Sequence, residues 1–302
     1  MMKTQAETQI RLQNILYLTD FSGASEAALP FAVTLARAYG ANVHALHILL
    51  PTPYPYAYSA PGLIAAALEA EEENAQAEMQ KVDSQLTGLQ HETDVERGTR
   101  IWPEVEQAIQ EDNIDLVVVG THGRTGANKL MMGSVAEEIF RRSPVPVLTV
   151  GPNVRSGAHE GGRFHRVLFA TDLTPESLAR APYAVSLAQE NQALLLLLLV
   201  MPKPAYPSAD DKKRLEMCTS EAMQCLSDIV PDDANLEFSW EAVVEYGEPA
   251  ERIVEVAKQR GVDLIVLGVR KATHMDAAVH LGSAIAHKVV AHAPCPVLTA
   301  RA

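Results

Sequence analysis

Short apolar runs alternate with amphipathic stretches along the whole chain, and this alternation decides the fold class. In the first half, runs near 14–19, 42–49, 92–96, 115–120 and 146–150 have the length of strands. Between them, residues near 23–39, 62–87, 101–112 and 134–142 carry apolar side chains at helical spacing. Leu116-Val-Val-Val119 and the run from Ala193 to Val200 are apolar without a break. Such runs mark strands buried on both faces of a parallel sheet. Strands alternating with helices predict an α/β domain with helices on both faces of the sheet. In such sheets ligands bind at the carboxyl ends of the strands, where strand order switches. Thr19-Asp20 and Gly120 both fall at strand ends and are expected to share one crevice.

The pattern occurs twice. Leu16-Tyr-Leu-Thr-Asp20 matches Leu168-Phe-Ala-Thr-Asp172, and Asp115-Leu-Val-Val-Val-Gly120 matches Asp263-Leu-Ile-Val-Leu-Gly268. Pro144-Val-Pro-Val-Leu-Thr149 likewise matches Pro294-Cys-Pro-Val-Leu-Thr299. A period of about 150 residues is a domain duplication rather than a solenoid. The expected domains are 1–152 and 163–302, joined by the polar, glycine-bearing stretch from Pro152 to Gly162.

Charge narrows the partners. The 302-residue chain has a net charge of −13, which argues against a nucleic-acid partner. Within residues 1–151, four of the ten basic side chains (Arg124, Lys129, Arg141 and Arg142) lie in or just after one glycine-bearing loop. For Arg141 and Arg142 a solvated helix face is the simpler reading; so it is for the acidic run Glu69-Ala-Glu-Glu-Glu73. The N-terminus lacks the apolar core of a signal peptide, and the run at 193–200 is too short to span a bilayer. Cys218, Cys225 and Cys295 form neither a metal-ligand spacing nor a disulfide framework, so reduced thiols in a cytoplasmic protein are expected.

The loop itself is Gly120-Thr-His-Gly123, nine further residues, then Gly133-Ser134. A buried strand precedes it and the amphipathic Val135-Ala-Glu-Glu-Ile-Phe-Arg-Arg follows. Glycines let backbone approach phosphate oxygens, and a helix N-terminus offers unpaired N–H groups and a positive dipole end. Ser134-Val-Ala-Glu137 reads as a capping box, which places the helix start at Ser134. The spacing is neither that of the P-loop nor that of the dinucleotide fingerprint.

The spacing G-x2-G-x9-G-[ST] resembles the ATP-binding loop of the universal stress protein family. Asn14-Ile-Leu-Tyr-Leu-Thr-Asp20, Ala45-Leu-His-Ile48 and Pro144-Val-Pro-Val-Leu-Thr-Val resemble that family's first, second and last strands. The resemblance implies two doubly wound, mostly parallel five-stranded domains of the adenine nucleotide alpha-hydrolase kind, arranged as a pseudo-dimer. It implies ATP as the ligand, alone or with Mg2+, and a regulatory role in the stress response. Gly120, Gly123, Gly133, Ser134 and the N–H of Val135 would contact ribose and phosphates. Thr19, Asp20 and Ile48 would line the adenosine. Thr121, His122 and Arg124 lie within the loop; His122 reads as a phosphate neighbour, a base or a plain exposed histidine. Asp20 has a structural reading beside its ligand reading, capping the helix near Ser22, because Asp172 repeats it. His47, on a buried strand, reads as a core histidine.

The second half breaks the motif. Lys271 stands where the second glycine belongs, and ten residues rather than nine separate it from Gly282. Its helix is expected to start at Ser283, without the capping glutamate. The first half is therefore expected to bind nucleotide and the second not. His274, Asp276, His280 and His287 suggest zinc less readily than a polar helix face. No triad or carboxylate pair supports strong catalysis, and the resemblance implies slow ATP hydrolysis or autophosphorylation at most. An enzyme of adenylyl chemistry and a nucleotide-free scaffold are the alternatives. The Pro-x-Pro strands are expected at sheet edges. By the resemblance, the edges at 147–150 and 297–300 should pair within the chain, a homodimer of chains remaining open alongside an unidentified protein partner. The segment from Pro53 to Pro61 reads as a cover for the site or a plain connection.

Overall fold

A computed structural model of the chain describes residues 10–51, 61–121, 132–154, 162–203, 209–230, 238–269 and 277–301. The first half runs β1 (Asn14–Leu18), α1 (Gly23–Tyr39), β2 (Asn42–Leu49), α2 (Pro61–Leu86), β3 (His91–Arg97), α3 (Ile101–Glu111), β4 (Leu116–Gly120), α4 (Ser134–Arg142) and β5 (Val147–Val150). The second half runs β6 (Arg166–Thr171), α5 (Pro175–Leu178), α6 (Ala181–Asn191), β7 (Leu194–Met201), α7 (Ala209–Ser227), β8 (Trp240–Tyr246), α8 (Pro249–Arg260), β9 (Leu264–Val269), α9 (Ala277–His292) and β10 (Val297–Arg301).

All ten strands form one sheet, ordered β3-β2-β1-β4-β5-β10-β9-β6-β7-β8. Every neighbouring pair within a half is parallel. The halves meet through the antiparallel pair β5–β10, with Leu148 opposite Leu298 and Val147 opposite Thr299. The Pro-x-Pro strands are thus the inner edges of two five-stranded halves, each covering the other, as the pseudo-dimer expectation requires. Prolines at strand starts still accept: Pro146 O takes the Val117 N–H and Pro296 O the Ile265 N–H.

Burial follows the pattern that predicted the strands. Central strands such as β4 and β6 are buried almost throughout, whereas β3, at the outer edge, alternates. One apolar cluster packs α1, α2, α6 and α7 on one face; the other packs α3, α4, α8 and α9 on the opposite face. Each cluster draws residues from both halves, so the core runs through the β5–β10 seam. The halves differ at one conspicuous point. α1 continues through Pro30, but at the matching Pro182 the second half breaks into α5 and α6. Proline lacks the N–H and crowds the preceding turn, so either outcome is open to it. No helix among the described residues is long and apolar enough to cross a membrane.

Candidate functional site

Strand order in the first half reverses between β1 and β4, and their ends are level. Leu18 is opposite both Leu46 and Val119. Leu18, Ile48, Val119, Met132 and Ala136 belong to one apolar cluster, which draws the ends of β1, β2 and β4 to the start of α4. Ile48 is buried there.

Beyond β1 the chain turns sharply at Phe21, whose φ is 58°. A bulky residue rarely adopts positive φ, and here hydrogen bonds impose it. Phe21 N donates to Thr19 Oγ1 at 3.0 Å, and Thr19 Oγ1 donates to Ser25 Oγ at 3.2 Å. Asp20 Oδ1 accepts from Ser22 N at 3.1 Å and from Ser22 Oγ at 2.6 Å. Ser22 in turn caps α1. His47 Nδ1 lies 2.8 Å from Thr19 O, and its ring packs on Phe21 with centroids 4.3 Å apart. His47 is therefore a core histidine that holds the turn. Tyr17, whose hydroxyl donates to Ser25 O at 2.8 Å, has its pKa pushed up to about 12, first by burial.

The second half repeats this turn around Leu173, whose φ is 59°. Leu173 N donates to Thr171 Oγ1 at 3.0 Å, and Thr174 Oγ1 donates to Asp172 Oδ1 at 2.6 Å. Thr19 and Asp20 thus build the turn that aims α1, a structural role that exists whether or not a ligand is present. The sequence reading named neither Phe21 nor Ser25 as part of the site. Its available signal was Asp-x-Ser/Thr at the same place in both halves, which is an Asx-turn pattern.

Gly120 closes β4 against the first turn of α1. A Cβ there would lie 2.6 Å from the Ala24 carbonyl carbon and 2.9 Å from Ser25 N. Thr121 is buried; its N–H donates to Val150 O at 3.0 Å, and its carbonyl accepts from Gly133 N at 2.6 Å. That last bond returns the chain to the strand end from which it departed. His122, Gly123 and Arg124 lie outside the described residues, as do Lys129, Lys271, His274 and Asp276.

At α4 the expected capping box does not form. The cap residue is Gly133, in extended geometry (φ −63°, ψ 152°), with no side-chain capping bond. Ser134 is instead the first helical residue, and it is exposed together with Val135. Glu137 N donates to Gly133 O at 2.9 Å, the first bond of the helix. Glu137 pairs along the helix with Arg141, and Glu138 with Arg142. The guanidinium of Arg142 also lies 5.4 Å from the centre of the Trp102 ring. Those arginines belong to a helix face. The first-turn N–H groups have no intrahelical acceptor, so the positive end of α4 stands uncapped by side chains beside Gly120 and Thr121. Such an end is suited to an anion.

The second half differs at the matching helix. α9 begins at Ala277, so Gly282 and Ser283 lie inside a helix rather than at its start, contrary to the sequence expectation. The second crevice keeps a cavity of about 130 Å³, lined by Thr171, Asp172, Ser177, Leu198, Ile253 and Leu267 among others. His287 packs edge-on against the Phe140 ring of α4, with centroids 4.9 Å apart, so it belongs to the seam. Burial, above all, lowers its pKa. Arg301 completes that seam: its guanidinium donates to Phe140 O and lies 6.0 Å from the centre of the same ring. Among the described residues no group of three or more His, Cys, Asp or Glu side chains is placed to hold a metal ion.

Comparison with known proteins agrees with the duplication. Residues 11–151 and 163–301 each match the profile of the Universal stress protein family. A universal stress protein of Mycolicibacterium smegmatis is 25% identical over 298 residues, covering 95% of this chain and 96% of its own. One of Methanocaldococcus jannaschii is 30% identical over 141 residues, covering 46% of this chain and 81% of its own. Among solved structures, a universal stress protein of Archaeoglobus fulgidus superposes with a TM-score of 0.65 at 20% identity, covering 97% of this chain and 99% of its own.

Proposed function

Because the chain belongs to the universal stress protein family and carries its fold twice, we propose that it is an ATP-binding regulatory module of the stress response. The nucleotide binds in the first domain, residues 1–152, and the second, residues 163–302, is a partner domain without a phosphate site. The observation that carries this reading is the uncapped start of α4, held at the end of β4 by the Gly133 N–H to Thr121 carbonyl bond. Phosphate oxygens accept hydrogen bonds from the N–H groups of Ser134 and Val135, and the glycines of the loop leave room for them. The Thr19–Asp20 turn and Ile48 form the wall for adenosine. His122, Gly123 and Arg124 supply the rest of the phosphate surround, with Mg2+ as an accompanying ion. Occupancy, rather than turnover, is the signal. The protein acts in the cytoplasm.

Calorimetric titration of the full chain with ATP tests the proposal. One site per chain is expected. A stoichiometry near two overturns the assignment to the first domain, and no heat with any adenine nucleotide overturns nucleotide binding altogether.

A further inference from the structure

α7 carries a pair of thiols that the nucleotide site does not use. Cys218 and Cys225 are both exposed, and they sit seven residues apart on one continuous helix. Ala222 and Leu226, about 40° and 80° around the helix from Cys218, anchor the adjoining flank of the helix in the core. Seven residues return a helix to nearly the same azimuth, so both thiols point outward along one stripe. Glu221, also exposed, lies within about 60° of both thiols around the helix, on the side away from the buried flank.

These thiols have no partner within the chain. Their Cα atoms are about 10.5 Å apart along the axis, beyond the ~7 Å limit for a disulfide. Cys295 is buried in the cluster on the other face of the sheet from α7. A disulfide at either thiol must therefore join two chains. The spacing is self-complementary: with two copies of α7 antiparallel about a two-fold axis, Cys218 of each copy faces Cys225 of the other. A two-fold contact is isologous, so both pairs form at once. The same register brings Arg214, at the start of the stripe, to Asp228 of the second copy, at its end. Both side chains are exposed. Glu221 of each copy falls near the axis, and these like charges hold reduced chains apart.

We propose that α7 is a thiol-oxidation site through which two copies of this chain become covalently linked by two Cys218–Cys225 disulfides. The oxidant class is a peroxide. A thiolate attacks a peroxide oxygen, the O–O bond breaks, and a sulfenic acid and one water form. The facing thiolate of the second copy then attacks that sulfur and displaces the hydroxyl as a second water. Each disulfide thus consumes two thiols and one hydrogen peroxide and yields two waters. Exposed disulfides of this kind are reducible, so the link is reversible.

The test treats the reduced full chain with hydrogen peroxide and follows it by non-reducing electrophoresis and peptide mapping. The expected result is a dimer that dithiothreitol dissolves, with Cys218 linked to Cys225 in the mapped peptides. Cys218→Ser and Cys225→Ser should each lose the dimer as completely as the double variant, while circular dichroism shows an unchanged fold. Glu221→Gln should speed cross-linking by removing the repulsion at the axis. The proposal is overturned if peroxide leaves monomers with sulfinylated cysteines. It is equally overturned if a single-cysteine variant dimerises at the wild-type rate, or if the peptides link like to like.

Discussion

Gly120→Ala is the sharpest probe of how the first crevice is built. A methyl group at this position would sit 2.6 Å from the Ala24 carbonyl carbon and 2.9 Å from Ser25 N. Both are backbone atoms, so no side chain can swing aside, and either β4 or the first turn of α1 must shift. Overpacking of this kind costs about 1–3 kcal/mol, and the all-backbone surroundings place Gly120→Ala near the upper end. At roughly 2–4 °C per kcal/mol for a chain of this order of size, the melting temperature should fall by about 5–10 °C. The duplication supplies an internal control. At Gly268 the added methyl would meet Ser177 Cα at 3.1 Å, with Arg180 Cγ and Ser177 Oγ at 3.4 Å, mostly contacts that can yield. Gly268→Ala should cost about 1 kcal/mol or less. Urea unfolding and differential scanning calorimetry of the two variants side by side provide the measurement. ATP affinity should drop with Gly120→Ala, because the displaced first turn of α1 is bonded through Ser25 to Thr19, and hold with Gly268→Ala. Equal destabilisation by the two substitutions, or a neutral Gly120→Ala, would refute the claim that this glycine exists for close approach.

Other expectations follow from the same geometry. Gly123→Val should abolish ATP binding and Gly282→Val, inside a helix, should leave affinity unchanged; equal losses by calorimetry would sink the asymmetry between the halves. The isolated segment 1–152 should form a homodimer through its exposed β5 edge, weakened by Val150→Lys; a clean monomer by light scattering at tens of micromolar, a concentration matched to about micromolar affinity, would count against the seam being a fused dimer interface. Asp94 and Glu96 have pKa values raised first by burial and then by neighbouring carboxylates, Glu92 and Asp112 acting on Asp94. A raised carboxylate favours the fold below its unfolded value and loses that favour as pH rises through the folded one. Asp94→Asn should therefore raise the melting temperature near neutral pH and have little effect below about pH 4; the opposite trend would remove the repulsion from the account.

Much of this was readable because parallel strands buried on both faces write themselves as unbroken apolar runs. The strands at 14–18, 42–49 and 116–120 stood within a residue or so of their expected bounds for that reason. The seam was legible from Pro144 to Pro146 and Pro294 to Pro296, since proline marks the start of an edge strand. The start of α4 was placed correctly and its chemistry misread. Glycine and serine both serve as caps, and only the path of the chain back to Thr121 decides that Gly133 takes the role. α9 begins earlier than expected because Ala277-Ala-Val-His-Leu281 is itself helix-compatible and Gly282 does not stop it. The turn at Phe21 was hidden more deeply. Propensity argues against positive φ for an aromatic residue, and only the bonds to Thr19 and Asp20 override it.

The antiparallel meeting of β5 and β10 sets where the two crevices lie. Strands of the two halves point in opposite directions, so the two crevices open at opposite ends of the sheet, and one small ligand cannot bridge them. Joining the halves in one chain also gives the seam an effective concentration that dilution cannot change. A separate subunit could report its ligand by associating or dissociating here, but this chain cannot, because its seam is always made. Any message from the first crevice must instead pass through a seam that stays closed. It can do so where Arg301 of the second half grips the far end of the helix whose near end stands at the first crevice.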